Sequence, residues 1–183
     1  MKKLYRALLP VLALVFLPLA MAAEDPLSNH PGFVDFSVLT TIANTEPVVE
    51  VTLKEPILAM VTNLIRAEEE AAADFISKLL RVTVDVYDSR EIDVDEIAES
   101  MENVADDLDD LGWDRVVRVR ERRDHADIYV KMSPAGDMIH GIAIMVAEPD
   151  ETVLVNIVGD ISGDDLAAMG RRFDIDELED LDI

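Results

Sequence analysis

Five arginines lie within nine residues of a chain that otherwise carries far more acids than bases. They are Arg115, Arg118, Arg120, Arg122 and Arg123. Guanidinium groups bind carboxylates and phosphates through paired N–H donors, so this cluster predicts a docking stripe for an anionic partner, which would be a lipid headgroup, an acidic glycan or another protein. The alternative is pairing inside the protein, which is the interpretation we favour. The candidate partners are then Asp127, Asp85 and Tyr87, or the acidic tail of the chain.

The imidazoles are the next groups that could do chemistry, and the chain has three: His30, His125 and His140. No pair of them has a metal-ligand spacing such as His-x-x-x-His, so the sequence predicts no metal site. His140 alternates with isoleucines in a strand pattern, which is typical of a buried, hydrogen-bonded histidine. The alternative is a hydrolase site near His140, which would need a deep polar pocket with two convergent carboxylates.

Acids cluster at residues 106–112, DDLDDLG, in a pattern that superficially resembles a calcium loop. Counted from Asp107, the third ligand position is Leu111, and Arg118 stands where a bidentate glutamate is required. The acids are therefore predicted to be the solvated face of a helix. No serine lies in a nucleophile-elbow motif and no glycine-rich phosphate loop follows a strand, so no catalytic residue and no cofactor is predicted.

The overall charge restricts the partners further. The formal net charge is -23, and such a surface repels phosphate backbones, which excludes nucleic-acid binding. The chain has no cysteine, which excludes disulfides, thiol catalysis, thiolate metal sites and a lipid-modified leader cysteine.

Residues 1–22 have the three parts of a secretory signal: early basic residues, an apolar run, and Ala20-Met21-Ala22 as a cleavage site. The alternative is an uncleaved membrane anchor, but the run is shorter than the roughly 20 residues of a spanning helix and contains Pro10 and Pro18. No later stretch is apolar enough to span a bilayer. We therefore expect a soluble periplasmic or secreted protein that is not lipid-anchored.

The elements that must position these side chains are mostly strands. Three consecutive strands are predicted in residues 127–158: DIYVKM, MIHGIAIMVA and TVLVNIV. The middle one is apolar on both faces, which is typical of a central strand. Further strands are predicted at residues 48–53, 81–88 and 115–121, and the last of these pairs with the strand from Asp127 as a hairpin.

Helical periodicity occupies the rest of the chain. Residues 56–80 predict one bent helix or two helices, and the spacing leaves this open. Residues 93–111 predict a helix with Asp93 as its cap and one apolar stripe, ending at Gly112. The fold class predicted is α+β: a mostly antiparallel sheet of about six strands with helices packed on one face. Residues 23–47 are an ordered lead-in segment, 48–173 a single domain, and 174–183 an acidic C-terminal tail.

Four motifs resemble a known family. They are VEVTL at 49–53, LLRVTVDVY at 79–87, GWD at 112–114 and VNIVGDI at 155–161. Together they are similar to the bacterial domain-of-unknown-function family 4252 over about residues 48–173. The resemblance implies an exported or lipid-anchored envelope protein without an established activity, and the missing leader cysteine departs from the lipid-anchored members.

The function predicted is therefore a non-enzymatic binding module of the cell envelope, monomeric or weakly self-associating. Its expected partner is an envelope protein or an anionic surface. The predicted contact surface combines the hairpin at residues 115–123 with the sheet face that helices leave uncovered. A signalling component that contacts a membrane regulator is the alternative, and the hydrolase near His140 is a further one.

Overall fold

The computed structural model describes residues 25–43 and 46–165. The predicted signal peptide and acidic tail lie outside this part of the chain. The elements are α1 (Ser37–Ala43), β1 (Val49–Lys54), α2 (Glu55–Ile65), α3 (Glu70–Ile76), β2 (Leu79–Asp88), a 3₁₀ turn (Ser89–Glu91), α4 (Val94–Asp110), β3 (Asp114–Glu121), β4 (Asp124–Met132), β5 (Met138–Ala147) and β6 (Glu151–Ser162).

The strands form one six-stranded sheet in the order β1-β2-β6-β5-β4-β3. Every neighbouring pair is antiparallel, so the predicted α+β class with a mostly antiparallel sheet is confirmed. The apolar strand at residues 138–147 is β5, which lies between β6 and β4, as predicted. Its side chains alternate between fully and partly buried, because one face of the sheet is more completely covered than the other.

The main core lies between α4 and one face of the sheet. Asp93 caps α4, because its Oδ1 accepts hydrogen bonds from the amides of Asp95 and Glu96. The apolar stripe of the helix then packs against Tyr129, Met145 and other inward-facing strand residues. The last predicted member of the stripe, Leu111, follows the helix and is exposed. Gly112 has a φ of 73°, a left-handed conformation that ends the helix without a Cβ clash.

Residues 56–80 form two helices, which answers the question that the sequence left open. The break falls between Ile65 and Glu70, and Pro56 stands at the start of α2, where its missing amide costs nothing. The two helices connect neighbouring strands at the same end of the sheet, so they fold over that end. Leu58 of α2 is buried there in a second cluster with residues of the other sheet face. Those strand residues are Leu53, Val82, Val130, Ile139, Ile142, Ile157 and Ile161.

The helices of this protein are distributed over both faces of the sheet. Helix α4 covers one face of the sheet, whereas α2 and α3 extend onto one end of the opposite face. The helical excursion begins directly after β1 and returns directly into β2, so it can reach only the nearest rows of that face. Among the described residues, no helix combines the length and apolar character required to cross a membrane.

Two further rows of the opposite face belong to neither core cluster. One row runs Val51, Val84, Val155, Ile144, Ile128 and Val117 across the six strands, and the next runs Val49, Val86, Val153, Val146, Ala126 and Val119. All of these side chains are half-buried or exposed. We call these two rows the open face.

Candidate functional site

The arginine hairpin is formed by β3 and β4, and the structure gives its members different environments. Arg120 donates from Nη2 to Asp127 Oδ2 at 2.6 Å, and Arg118 donates from Nη2 to Glu102 Oε1 at 2.9 Å. Glu102 lies on the outer side of α4, so the second contact ties the helix to the edge strand. The internal pairing with Asp127 that we weighed from the sequence is thus present for Arg118 and Arg120.

Asp127 is the buried member of this network. The residue is 0% exposed, although a carboxylate is expensive to remove from water. Its Oδ2 accepts from Arg120, whereas its Oδ1 has no hydrogen-bond partner among the described residues and lies 4.0 Å from Arg118 Nε. Two cations therefore compensate one buried anion. Arg118 and Arg120 thus have a structural role at the β3–β4 edge of the sheet.

Arg115 pairs with an aromatic residue instead. Its Nη1 donates to the hydroxyl of Tyr129 at 3.0 Å, and its guanidinium carbon lies 5.7 Å from the centre of that ring. Burial raises the pKa of Tyr129 above its ordinary value, and the hydrogen bond and charge of Arg115 oppose that rise. Arg115 is consequently also held by an internal contact.

Arg122 and Arg123 form the turn between the strands. Arg122 has a φ of 53°, in the left-handed region, and both residues are exposed. Within the described part of the chain, neither takes part in an ion pair. Arg123 lines a shallow surface cavity of about 360 Å³ together with Ser89, Asp93 and Pro149. These two arginines are the members of the predicted stripe that remain available to a partner.

The open face ends at this turn. Val119 is the last open-face residue of β3, and Arg122 follows it three positions later. The exposed fractions are 47% for Val49, 40% for Val117 and 43% for Val119, all on the two edge strands. The surface is therefore apolar, with Arg122 and Arg123 at the turn near one corner and the acids Glu121 and Asp124 on either side of them.

A second cluster was not predicted from the sequence. His30 of the lead-in segment, His140 of β5 and Asp160 of β6 each offer one ligand atom, and these atoms all lie within 4.8 Å of one another. His140 Nδ1 lies 2.8 Å from Asp160 Oδ1. The two imidazole rings are edge to face, with centroids 5.9 Å apart and an interplanar angle of 87°. We call these three residues the histidine cluster.

Two glycines allow the lead-in segment to lie against β5 at this point. A Cβ on Gly32 would come within 1.8 Å of the carbonyl oxygen of His140, and one on Gly141 within 2.5 Å of Gly32. Asn156 of β6 fixes the segment, since its Oδ1 accepts from the Val34 amide and its Nδ2 donates to the Gly32 carbonyl. The backbone approach therefore depends on the absence of side chains at both positions.

The start of the lead-in segment is held by a charge pair. Asp25 forms an ion pair with Arg81, which is buried at 7% exposure. The hydrogen bond from Arg81 lowers the pKa of Asp25 below its ordinary value, and the bond from the Leu27 amide adds to that effect. Phe36 and Leu39 then bury in the main core, so the segment is attached at its beginning, middle and end.

Burial favours the neutral form of His30, one of the two imidazoles. Burial lowers the pKa of His30, the Asp160 carboxylate opposes this effect, and His140 adds to it. The Gly32 amide donates to His30 Nδ1 at 3.1 Å, which places the proton of the neutral ring on Nε2. No sequence motif indicates this cluster, because its histidines come from segments that only the fold brings together.

A known family model matches the part of the chain that contains these elements. The family model for a domain of unknown function, DUF4252, matches residues 43–169, which include every strand of the sheet. The chain belongs to the DUF4252 family. The resemblance predicted from the four motifs is therefore confirmed. No curated protein matches this DUF4252 chain.

Proposed function

We propose that this DUF4252 protein is an exported, soluble binding module of the bacterial envelope that acts by contact through the open face. The observation that carries the proposal is the open face itself. Soluble monomers rarely expose a contiguous apolar patch larger than a few hundred Å², and a larger one marks an interaction site. Twelve apolar side chains lie in two adjacent rows across six strands of this protein, and none of them is fully buried.

The charge distribution supports a protein partner. A net charge of -23 repels anionic lipids and nucleic acids over the body of the molecule. Arg122 and Arg123 provide a local exception at one corner of the open face. A protein segment with an apolar ridge that ends in acidic residues fits this combination, and no cofactor is needed for such a contact.

Site-directed photo-crosslinking tests the proposal in living cells. A photoreactive side chain at Ile144, in the middle of the open face, is expected to give a discrete covalent adduct with one envelope protein. The matched control is Leu64, which is 72% exposed on α2 and lies outside the open face. A second substitution, Val155→Lys, should abolish the adduct at Ile144 because it places a charge in the contact. Equal adducts at both positions, or none at Ile144, would contradict the proposal.

The contribution of the free arginines is tested separately. The double charge reversal Arg122→Glu and Arg123→Glu should weaken the crosslink, because it repels the acidic end of the partner. Retention of the unaltered protein on anionic vesicles, lost in the double variant, would instead assign the surface to lipid headgroups.

Export is tested by fractionation and mass spectrometry of the mature protein, which should begin at Ala23. Recovery from the cytoplasm with residues 1–22 intact would contradict it. The signalling alternative predicts that the adduct at Ile144 contains a membrane regulator, so the same experiment distinguishes it. The hydrolase alternative requires two convergent carboxylates at His140, and the described residues supply one there, Asp160.

A further inference from the structure

The histidine cluster contains the donor set that intermediate divalent metals prefer. Two imidazoles and one carboxylate come from three separate segments, with their ligand atoms within 4.8 Å of one another. Borderline cations such as Zn²⁺ bind this mixture of nitrogen and oxygen, whereas Ca²⁺ and Mg²⁺ prefer oxygen alone. The cluster lies away from the open face, because Gly32 and Asn156 hold the lead-in segment on the side of the main core.

We propose that His30, His140 and Asp160 bind a divalent transition-metal cation, with Zn²⁺ as the reference ion. This inference is independent of the binding function proposed for the open face. It assigns the lead-in segment a role: the cation would join that segment to β5 and β6 through side chains of all three.

Binding a cation requires small shifts of the three ligand side chains. Ligand atoms about 2.0–2.1 Å from a tetrahedral Zn²⁺ lie about 3.3 Å from each other. The contact between His140 Nδ1 and Asp160 Oδ1 is 2.8 Å, so these two groups must open slightly or Asp160 must orient the ring while Nε2 binds. His30 must move closer by at most about 1.5 Å, which is within the reach of a side-chain rotation at a half-buried residue. The Asp160 side chain is 49% exposed, which leaves room for water as a further ligand.

The hydrogen bond from the Gly32 amide would be altered by metal binding at His30. In the structure His30 Nδ1 accepts that bond at 3.1 Å, and the ring proton is therefore on Nε2. A cation at Nε2 requires this proton to leave and Nδ1 to carry one, so the Gly32 amide loses its acceptor. A cation at Nδ1 displaces the same amide directly. Either route changes the environment of one identifiable backbone N–H group.

Calorimetry with Zn²⁺ on the purified protein tests the site. We expect one Zn²⁺ per chain, and we expect His140→Ala and His30→Ala each to weaken the affinity by about 10-fold or more, because loss of a group that only orients a ligand already costs about 10–100-fold. The matched control is His125→Ala, which removes the third imidazole, on β4 and outside the cluster, and should leave the affinity unchanged. Asp160→Asn keeps the shape of the side chain and should weaken binding without unfolding the protein.

Nuclear magnetic resonance supplies a second readout that a general acidic surface would not produce. Zn²⁺ should shift the Gly32 amide resonance in the unaltered protein and in His125→Ala, but not in His140→Ala. Ca²⁺ at the same concentration should leave that resonance in place. Equal Zn²⁺ affinity in all variants would mean that exposed acids hold the ion, and it would overturn the proposal. Absence of saturable binding at millimolar Zn²⁺ would overturn it as well.

Discussion

Substituting Arg120 by methionine should destabilise the protein more than removing the charge of its partner, Asp127. Asp127 is fully buried, so in Arg120→Met its carboxylate keeps, within the described part of the chain, only the longer contact to Arg118, at 4.0 Å. Breaking a buried pair by removing one partner costs about 3–5 kcal/mol, because an uncompensated buried charge remains. Arg120→Met should therefore lower the free energy of unfolding by about 3–4 kcal/mol.

Substituting the other partner, Asp127, leaves unpaired charges that can still be hydrated. In Asp127→Asn the side-chain exposures of 24% for Arg120 and 41% for Arg118 let both guanidinium groups reach water. The amide oxygen still accepts a hydrogen bond, and exchanging a charged for a neutral acceptor costs about 1–2 kcal/mol. The double variant should lose less than the sum of the two single losses, by about 1 kcal/mol or more, since the two side chains share one interaction.

Urea unfolding followed by the fluorescence of Trp113 measures these differences. Trp113 is the single tryptophan and is 4% exposed, so its emission reports the packed state. The matched control is Arg123→Met, a turn arginine without an ion pair in the described structure, for which we expect a change within about 0.5 kcal/mol. A loss in Arg120→Met no larger than in this control, or strict additivity in the double variant, would refute the buried-charge reasoning.

Three further substitutions test separate features. Asp85 lies opposite Glu50 across β1 and β2, and burial, followed by the charge of Glu50, raises its pKa above the ordinary 3.8. A carboxyl with a raised pKa stabilises the folded state below the unfolded pKa and loses that contribution as the pH rises through the folded one. Asp85→Asn should thus be more stable than the unaltered protein at pH 7 by about 0.2–1 kcal/mol, with the gain vanishing below the unfolded pKa in a pH series of melting curves. Gly32→Ala should cost about 1–3 kcal/mol in urea unfolding, because its Cβ would clash with the β5 backbone; unchanged stability would contradict the close approach. Asp93→Ala should cost about 1 kcal/mol through loss of the α4 cap, and an unchanged urea midpoint would exclude that role.

The confirmed family resemblance and fold class follow from patterns that are local in the chain. The apolar run at residues 138–147, the capped stripe of α4 and the turn at Arg122 each occupy a short window. Backbone geometry repeats every two residues in a strand and every 3.6 in a helix, so side-chain spacing alone reveals these elements. The pairing of β3 with β4 as a hairpin could be predicted for the same reason, since the strands are adjacent in sequence.

The partners of the polar residues depend on contacts between segments that are distant in sequence. The sequence offered Asp127 as one of several partners for the arginines, and it did not indicate that Glu102 of α4 would take Arg118. That contact exists because α4 packs on the sheet beside this edge strand, a relation set by the whole core and not by residue spacing.

The amino-acid sequence by itself determined the strands, the α4 helix with its cap, the acidic character and the family. Only the tertiary structure decided that β2 pairs with β6, that two rows of one sheet face form the open face, and that His30 lies beside His140. The physical reason is that local periodicity specifies which side of an element is apolar, whereas the neighbours of that side depend on strand order and register. Those are fixed when distant segments pack together, as Gly32 and Gly141 do where the lead-in segment lies against the sheet.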